Sequence, residues 1–277
     1  MGIFGPKRPL SRDELDWQLA AIHWLVNEDG GLTHLRGGRL ATPDGDYFAD
    51  STAVGHARAE QRLAEVKALC GMSEGWPTRL IAQAPTRGFM QVAEYTIIPA
   101  PTGAAAGSFQ LDMDGNEAEP GRPVAEISYD PALLDDEPAL IATLAHELAH
   151  FRLTYCRHSF PGGHDLHEHL TDLCAVYFGF GIFLANNARD YRAGQTEMGG
   201  HQWQFRAAGY LSERALVTAL VITERLAGRD PREARIWLKP YLRDDLALAT
   251  RYFRDEDVEA LVLASDLERY GVQNPDG

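Results

Sequence analysis

The sequence is poor in cysteine and has no long run of apolar residues. Its 277 residues include three cysteines, Cys70, Cys156 and Cys174, an odd number spread widely along the chain. This pattern is not a disulfide framework, and Cys174, in an apolar stretch, is expected to be a small core residue. The longest uncharged apolar run, residues 173–185, is shorter than the roughly 20 residues that a membrane-spanning helix needs. We expect it to form a buried helix behind the functional site.

Positive charge is also scarce. The formal net charge is −14, and only three lysines occur, so arginine supplies nearly all of the positive charge. This balance argues against nucleic acid or an anionic membrane as the main partner. The first ten residues contain no long apolar run, no secretory signal is visible, and we expect a cytoplasmic protein.

The clearest chemical pattern is the H-E-x-x-H sequence at residues 146–150, inside an apolar stretch that favours a helix. Residues four apart in a helix lie about 40° apart around its axis, so His146 and His150 can both place a ring nitrogen on one Zn²⁺. Glu147 can act as a general base toward a metal-bound water. Burying these side chains without a partner would be costly, which favours metal binding over a chance occurrence.

A second helical segment presents two carboxylates on one face, because Glu168 and Asp172 are also four apart. One carboxylate can bind the metal, and the other can accept a hydrogen bond from the free ring N–H of a ligand histidine. Together the two motifs, within residues 140–175, resemble those of the gluzincin zinc metallopeptidases. The resemblance implies that His146, His150 and Glu168 bind zinc, that Glu147 is the general base and that Asp172 holds a ligand histidine, His146.

The sequence also offers residues other than Glu168 as the third metal ligand. A metzincin would carry glycine and histidine where this chain has Leu153 and Cys156, so that pattern is excluded. Cys156 itself is an alternative ligand. Three histidines in and beside the turn before Glu168 also compete with it, namely His164, His167 and His169.

No motif identifies the side chain that would stabilise the oxyanion. Gluzincins stabilise the tetrahedral oxyanion with the zinc and a tyrosine, histidine or arginine donor. His201, which follows two glycines on a predicted loop, is the first choice. The other candidates are Tyr155, Tyr177 and Tyr210, of which Tyr177 lies in the apolar run and is expected to be a core residue.

The remaining patterns predict an α+β, helix-dominated, zincin-like fold. A capping box at Ser11 and Glu14 begins a helix that ends near Asn27, and Asp136 and Pro138 mark the start of the metal helix. Strands are predicted at 79–83, 89–98 and 123–129, further helices at 52–70, 211–227, 231–238, 241–253 and 257–270, and loops at 30–38 and 99–107. Residues 1–195 are assigned to a catalytic domain with a small sheet, and residues 196–277 to a helical region that closes the cleft.

These patterns predict a soluble zinc metallopeptidase that acts on a peptide or protein substrate. Water held by the zinc would attack a peptide carbonyl while Glu147 takes up the proton. We expect the zinc to face a cleft lined by the loop around His201 and the strand near Ile127, the position where gluzincins place the edge strand that pairs with substrate. The alternatives are a zinc-bound regulatory or binding module, with a fourth protein ligand on the metal, and hydrolysis of a non-peptide amide.

Overall fold

The computed structural model describes residues 7–72, 75–83, 90–92, 96–98, 106–113, 123–193 and 211–272. The α-helices among them are α1 (Arg12–Glu28), α2 (Thr33–Gly37), α3 (His56–Leu69), α4 (Glu137–Leu153), α5 (His167–Ala175), α6 (Gly181–Ala193), α7 (Glu213–Leu226), α8 (Arg243–Tyr252) and α9 (Val258–Leu263). The strands are β1 (Thr78–Ala82), β2 (Met90–Val92), β3 (Thr96–Ile98), β4 (Gly107–Asp112) and β5 (Val124–Tyr129). Helix predominates over a small sheet, which confirms the predicted α+β, helix-dominated class.

The chain forms two compact units. Met1–Thr42, Tyr155–Ala188 and Tyr210–Gly277 make the helical unit, and Pro43–Thr154 with Arg189–Gly209 make the sheet unit. The predicted domain boundary after residue 195 lies outside the described residues and stays a prediction.

In the sheet unit, β1, β5 and β4 form a three-stranded sheet in that order. β5 runs parallel to β1 and antiparallel to β4. The strands predicted at 79–83 and 123–129 are therefore confirmed as β1 and β5. The single strand predicted at 89–98 is wrong, because Met90 pairs with Ile98 and Val92 with Thr96, so the chain reverses into an antiparallel pair, β2 and β3.

The expected edge strand is also corrected. β5, which contains Ile127, is hydrogen-bonded on both sides and is the middle strand of the sheet. The sequence showed that β5 is apolar and leads to the metal helix, but strand order depends on partners that are distant along the chain. Among the described strands of this sheet, β4 lies at an edge, and no pattern had been assigned to most of it. The predicted loop at 99–107 falls largely outside the described residues.

Helix α4 is the centre of the sheet unit. Its start is as predicted: the Asp136 carboxylate accepts the Ala139 N–H at 3.2 Å, and Pro138 lies in the first turn. Fourteen of its 17 residues are buried, and the helix packs against α3, β4 and β5. Because several elements cover it, α4 is apolar nearly all round instead of along one stripe. The Asp136 cap at the start of α4 contributes about 1 kcal/mol of stability.

Two other helix starts show where local patterns succeed and fail. The capping box of α1 forms as predicted, with the Glu14 N–H donated to the Ser11 hydroxyl at 3.3 Å and the Ser11 N–H to the Glu14 carboxylate at 3.1 Å. Helix α3, predicted from residue 52, begins only at His56, because Gly55 has a φ of 59° and stands outside the helix. The predicted loop at 30–38 contains the short helix α2.

In the helical unit, α5 and α6 are joined through a π-helical turn, Val176–Phe180. Every residue of the predicted buried helix at 173–185 is buried, but the stretch is two helices that meet at a kink at Gly179 instead of one continuous helix. At Gly179 the backbone has a φ of 98°, and a Cβ there would lie 2.1 Å from the Arg39 carbonyl oxygen. The Gly179 carbonyl in turn accepts the Ala41 N–H at 2.9 Å. Glycine is required here because another backbone segment packs directly on the helix.

The same stretch gives the one membrane-span candidate among the described residues. Residues 164–188 form a helix long and apolar enough to cross a membrane, and 89% of its most apolar window is buried inside the protein. A core helix passes the same test of length and composition.

Helices occur in each of the C-terminal segments where they are predicted, but the one predicted at 257–270 is shorter, since α9 ends at Leu263 and a 3-10 turn, Glu268–Tyr270, follows. Ser212 caps α7 and Asp257 caps α9, each side chain accepting a backbone N–H three residues later, at 3.1 and 3.0 Å. The segment predicted at 231–238 is a 3-10 helix, Pro231–Ile236, and a shorter one, Pro240–Leu242, precedes α8. Helix α7 packs against both α8 and α9 and is almost fully buried.

None of the three cysteines forms a disulfide. Cys174 is fully buried, which confirms its predicted place in the core. Cys70 is also buried, and burial raises the pKa of its thiol, so this residue stays protonated and unreactive.

Candidate metal centre

The two histidines of the H-E-x-x-H motif converge as helix geometry predicts. His146 and His150 are each 4% exposed, and their Nε2 atoms are 3.1 Å apart. Two nitrogens bound tetrahedrally to one zinc, each at 2.0–2.1 Å, would be about 3.3 Å apart. The pair is therefore placed as two ligands of a common ion would be.

Glu147 lies in the same buried environment, with 5% of its surface exposed. Its Oε1 faces the first residue of β4: a Cβ added to Gly107 would lie 3.1 Å from that oxygen, 2.6 Å from the Thr143 methyl group and 2.9 Å from the Ser128 carbonyl oxygen. Thr143 is itself held in place, because its hydroxyl donates to the Ala139 carbonyl at 2.9 Å. A side chain at Gly107 would therefore collide with the Thr143 methyl group and the Ser128 carbonyl and would press on the Glu147 carboxylate.

β4 also supports one of the histidines. The Phe109 ring lies nearly parallel to the His150 ring, with centroids 6.1 Å apart and an interplanar angle of 8°. The Phe109 ring also packs against the Phe151 ring of α4, with ring centroids 5.8 Å apart. Sequence reasoning missed Gly107 and Phe109, although polar and apolar residues alternate from Ser108 to Leu111, which is the signal of a half-buried strand.

Glu168 lies in the first turn of α5 and is 25% exposed, with its Oε1 atom 3.9 Å from Nδ1 of His167. His146, His150 and Glu168 each offer one ligand atom, and these three atoms lie within 4.8 Å of one another. Two imidazoles and one carboxylate form the ligand set of several catalytic zinc sites, in which the fourth position is left to water. The residues predicted as ligands are therefore a group that could hold a metal ion.

The competing ligands are not members of that group, among the residues that the structure describes. His164 and His167 both contact the Phe160 ring, at 6.4 and 5.1 Å between ring centroids. His169 lies edge-on to the Trp17 ring at 6.1 Å. Cys156 is partly buried.

Asp172 has a structural contact that the sequence did not indicate. It is buried, and its Oδ2 accepts the backbone N–H of Leu211 at 2.7 Å. Leu211 directly precedes Ser212, the cap of α7, so Asp172 fixes the place where that helix begins. The hydrogen bond predicted between Asp172 and His146 stays a prediction.

The candidates for the oxyanion donor divide into two pairs. His201 and Tyr210 lie outside the described residues. Tyr177 is buried as predicted, and its hydroxyl donates to Asp29 at 3.2 Å, whereas Tyr155 is 48% exposed. The donor is therefore still a prediction.

Comparison of the chain with protein-family models, with curated proteins and with solved structures finds no match. The resemblance to gluzincins thus consists of two short motifs. What supports a metal centre is the chain's own residues: the spacing, burial and convergence of His146, His150 and Glu168.

Proposed function

We propose that the protein is a zinc metallopeptidase in which His146, His150 and Glu168 hold one Zn²⁺. The observation that carries the proposal is the convergence of one ligand atom from each of these residues within 4.8 Å, beside a buried glutamate. A zinc ion bound by three protein ligands supplies an acidic water molecule, whose pKa falls to about 7 in such sites. The same ion polarises a substrate carbonyl.

In this proposal Glu147 is the general base that transfers the proton. Its carboxylate follows the first ligand on α4 and is nearly excluded from solvent, so its interactions with a reacting water would be only weakly screened. It would take the proton from the attacking water and deliver it to the leaving amine. A positioned general base of this kind contributes about 10²- to 10⁴-fold to the rate.

The sequence predicted that β5 pairs with the substrate. In this proposal β4 does so instead. It is an edge strand of its three-stranded sheet among the described strands, although β2 contacts it. A side chain at its first residue would press on Glu147, and the Phe109 ring is stacked on His150. An extended peptide could add to that edge through backbone hydrogen bonds, which makes binding tolerant of sequence. The peptide carbonyl next to Gly107 would then be the one presented to the reacting water.

The test is Glu147→Gln, assayed for metal content and for cleavage of a peptide library. The amide keeps the shape of the side chain but cannot accept the proton, so zinc should stay at about one ion per chain while turnover falls at least about 100-fold. Glu60→Gln is the matched control, because Glu60 is a 60% exposed glutamate of the same unit; it should keep both zinc and turnover.

Three outcomes would contradict the proposal. Cleavage by Glu147→Gln at the parent rate would show that Glu147 is not the base. A purified parent protein without zinc, and unable to bind it, would remove the metal centre. A zinc-loaded parent protein that cleaves no member of the library would favour the non-catalytic zinc module instead.

A further inference from the structure

The helical unit contains an arginine-rich cleft that the metallopeptidase does not use. Its volume is about 770 Å³, and its walls are the end of α7, the 3-10 helix Pro231–Ile236 and α8. Seven of its lining residues are arginines, against 26 basic residues in a chain of net charge −14. Of the described residues that line it, Asp230 is the only acidic one. A concentration of positive charge in so acidic a protein needs a physical explanation.

Two of these arginines are neutralised within the protein. Arg232 makes a two-pronged pair with Asp230, at 2.6 and 2.9 Å, and this guanidinium lowers the pKa of the Asp230 carboxyl. Arg229 makes a similar pair with the buried Glu224, with both distances 2.8 Å.

Two further arginines are positioned without being neutralised. Arg225 donates to the backbone carbonyl of Glu256 at 3.1 Å, and Arg243 donates to that of Leu238 at 3.1 Å. A carbonyl oxygen orients a guanidinium but leaves its positive charge in place. Both side chains are partly buried, so they are held at the wall of the cleft.

The last three arginines of the cleft, Arg235, Arg251 and Arg254, are exposed, and in the part of the chain that the structure describes their side chains make no ion pair. Arg225 and Arg243 bring to five the number of cleft arginines with no carboxylate at salt-bridge distance among the described residues, although Asp230 partly offsets the charge of Arg225. Like charges gathered in this way repel one another, and an anion with several charges would relieve the repulsion.

The cleft also has an apolar part. It is lined by the exposed Ala247 and by Leu246 and Pro231, which are nearly buried. A ligand could therefore place an organic part against Ala247, with Leu246 and Pro231 behind it.

We propose that this cleft binds a phosphorylated small molecule about the size of a mononucleotide. The planar guanidinium fork suits the paired oxygens of phosphate, and several such groups favour a ligand with more than one phosphate charge. The volume lies within the range of about 300–1,000 Å³ that is typical of small-molecule sites. A nucleic-acid polymer is disfavoured because the net charge of −14 would repel its long array of phosphates.

The experiment is calorimetric titration of the full-length zinc-loaded protein with ATP, AMP and inorganic triphosphate as probes. ATP is expected to bind with a Kd in the micromolar range, about tenfold or more tighter than AMP, because it carries more charge to the arginines. Inorganic triphosphate should bind more weakly than ATP, because it lacks an organic part for the surface at Ala247.

Matched variants locate the binding. The double variant Arg235→Gln/Arg251→Gln should weaken ATP binding about four- to ninefold at low salt, the product of two effects of about two- to threefold. Arg8→Gln/Arg12→Gln removes the same charge from two exposed arginines outside the cleft and should leave binding unchanged.

Several results would overturn the proposal. No ATP binding below millimolar concentration would mean that the arginines serve no such ligand. Equal binding by all variants would place the nucleotide elsewhere, on the zinc for example, and equal loss in both double variants would show only an effect of total charge. Arginine-dependent binding of a single-stranded oligonucleotide without binding of ATP would make the ligand a polymer.

Discussion

The candidate metal centre and the arginine cleft are both polar sites, but they are built in opposite ways. In the first, His146, Glu147 and His150 lie within one helix and are at most 5% exposed, and only Glu168, on α5, is partly exposed. In the second, Arg235, Arg251 and Arg254 are exposed and come from different elements. A buried site depends on a few atoms at fixed distances, and their interactions are strong because water is absent. An exposed site adds up many weak, screened contributions. Single substitutions should therefore have large effects in the first and small effects in the second.

The largest effect is expected from losing a histidine of the metal centre. His146→Ala or His150→Ala should reduce bound zinc from about one ion per chain to none, because two remaining ligands hold zinc poorly. Metal analysis after gel filtration measures this directly. His56→Ala is the control, since His56 is a 41% exposed histidine of the same unit, and it should keep its zinc. Full zinc occupancy in both motif variants would show that the site lies elsewhere.

The next effect separates a ligand from a supporting carboxylate. Glu168→Ala should weaken zinc binding more than Asp172→Ala, for which the expected loss is about 10- to 100-fold. Asp172→Ala should also lower the free energy of unfolding by about 1–3 kcal/mol, because the buried N–H of Leu211 loses its acceptor. Zinc titration and thermal unfolding of both variants test this.

Asp165→Ala is the control for these two variants, because Asp165 is an exposed carboxylate two residues before α5. It should change neither zinc affinity nor stability. A structure with His164, His167 or His169 on the metal, and Glu168 turned away, would refute the assignment of ligands.

A third prediction concerns the lack of space at the metal centre. Gly107→Ala should lower turnover about 10- to 100-fold with zinc retained, because the new methyl group would press on the Ser128 carbonyl and on Glu147, and small displacements of a reacting group are costly. It should also cost about 1–3 kcal/mol of stability through overpacking. Gly45→Ala is the control, since a Cβ there meets nothing within 4 Å. If Gly107→Ala kept the turnover of the parent protein, β4 would have no part in placing the reacting groups.

The features that could be predicted from the sequence are those decided within one turn of helix or one strand. Ser11 with Glu14 and Asp136 with Pro138 each mark a helix start through contacts three or four residues long, and both helices begin there. The same short-range geometry predicted that His146 and His150 converge. These relations depend on the fixed pitch of a helix, so no knowledge of the rest of the fold is needed.

The features that could not be predicted depend on partners far along the chain. β5 is the middle strand because β1 and β4 pair with it, and Gly179 is required because Arg39 packs on its helix. The arginine cleft has no motif, since its residues occur at irregular spacing and only the fold of the helical unit gathers them. A chemical pattern set by one helix can be read from sequence, whereas one set by packing cannot.

The smallest effect is expected from a single charge at the cleft. Arg235→Gln should weaken ATP binding only about two- to threefold at low salt, because Arg235 is exposed and four other unneutralised arginines remain. Titrations between low salt and about 0.5 M sodium chloride should show the difference from the parent protein shrinking as the screening length falls. The free energy of unfolding should not change, since the Arg235 side chain has no partner to lose among the described residues. A loss of tenfold or more from this one substitution would mean that the cleft, like the metal centre, depends on a few fixed contacts, and the contrast between the two sites would fail.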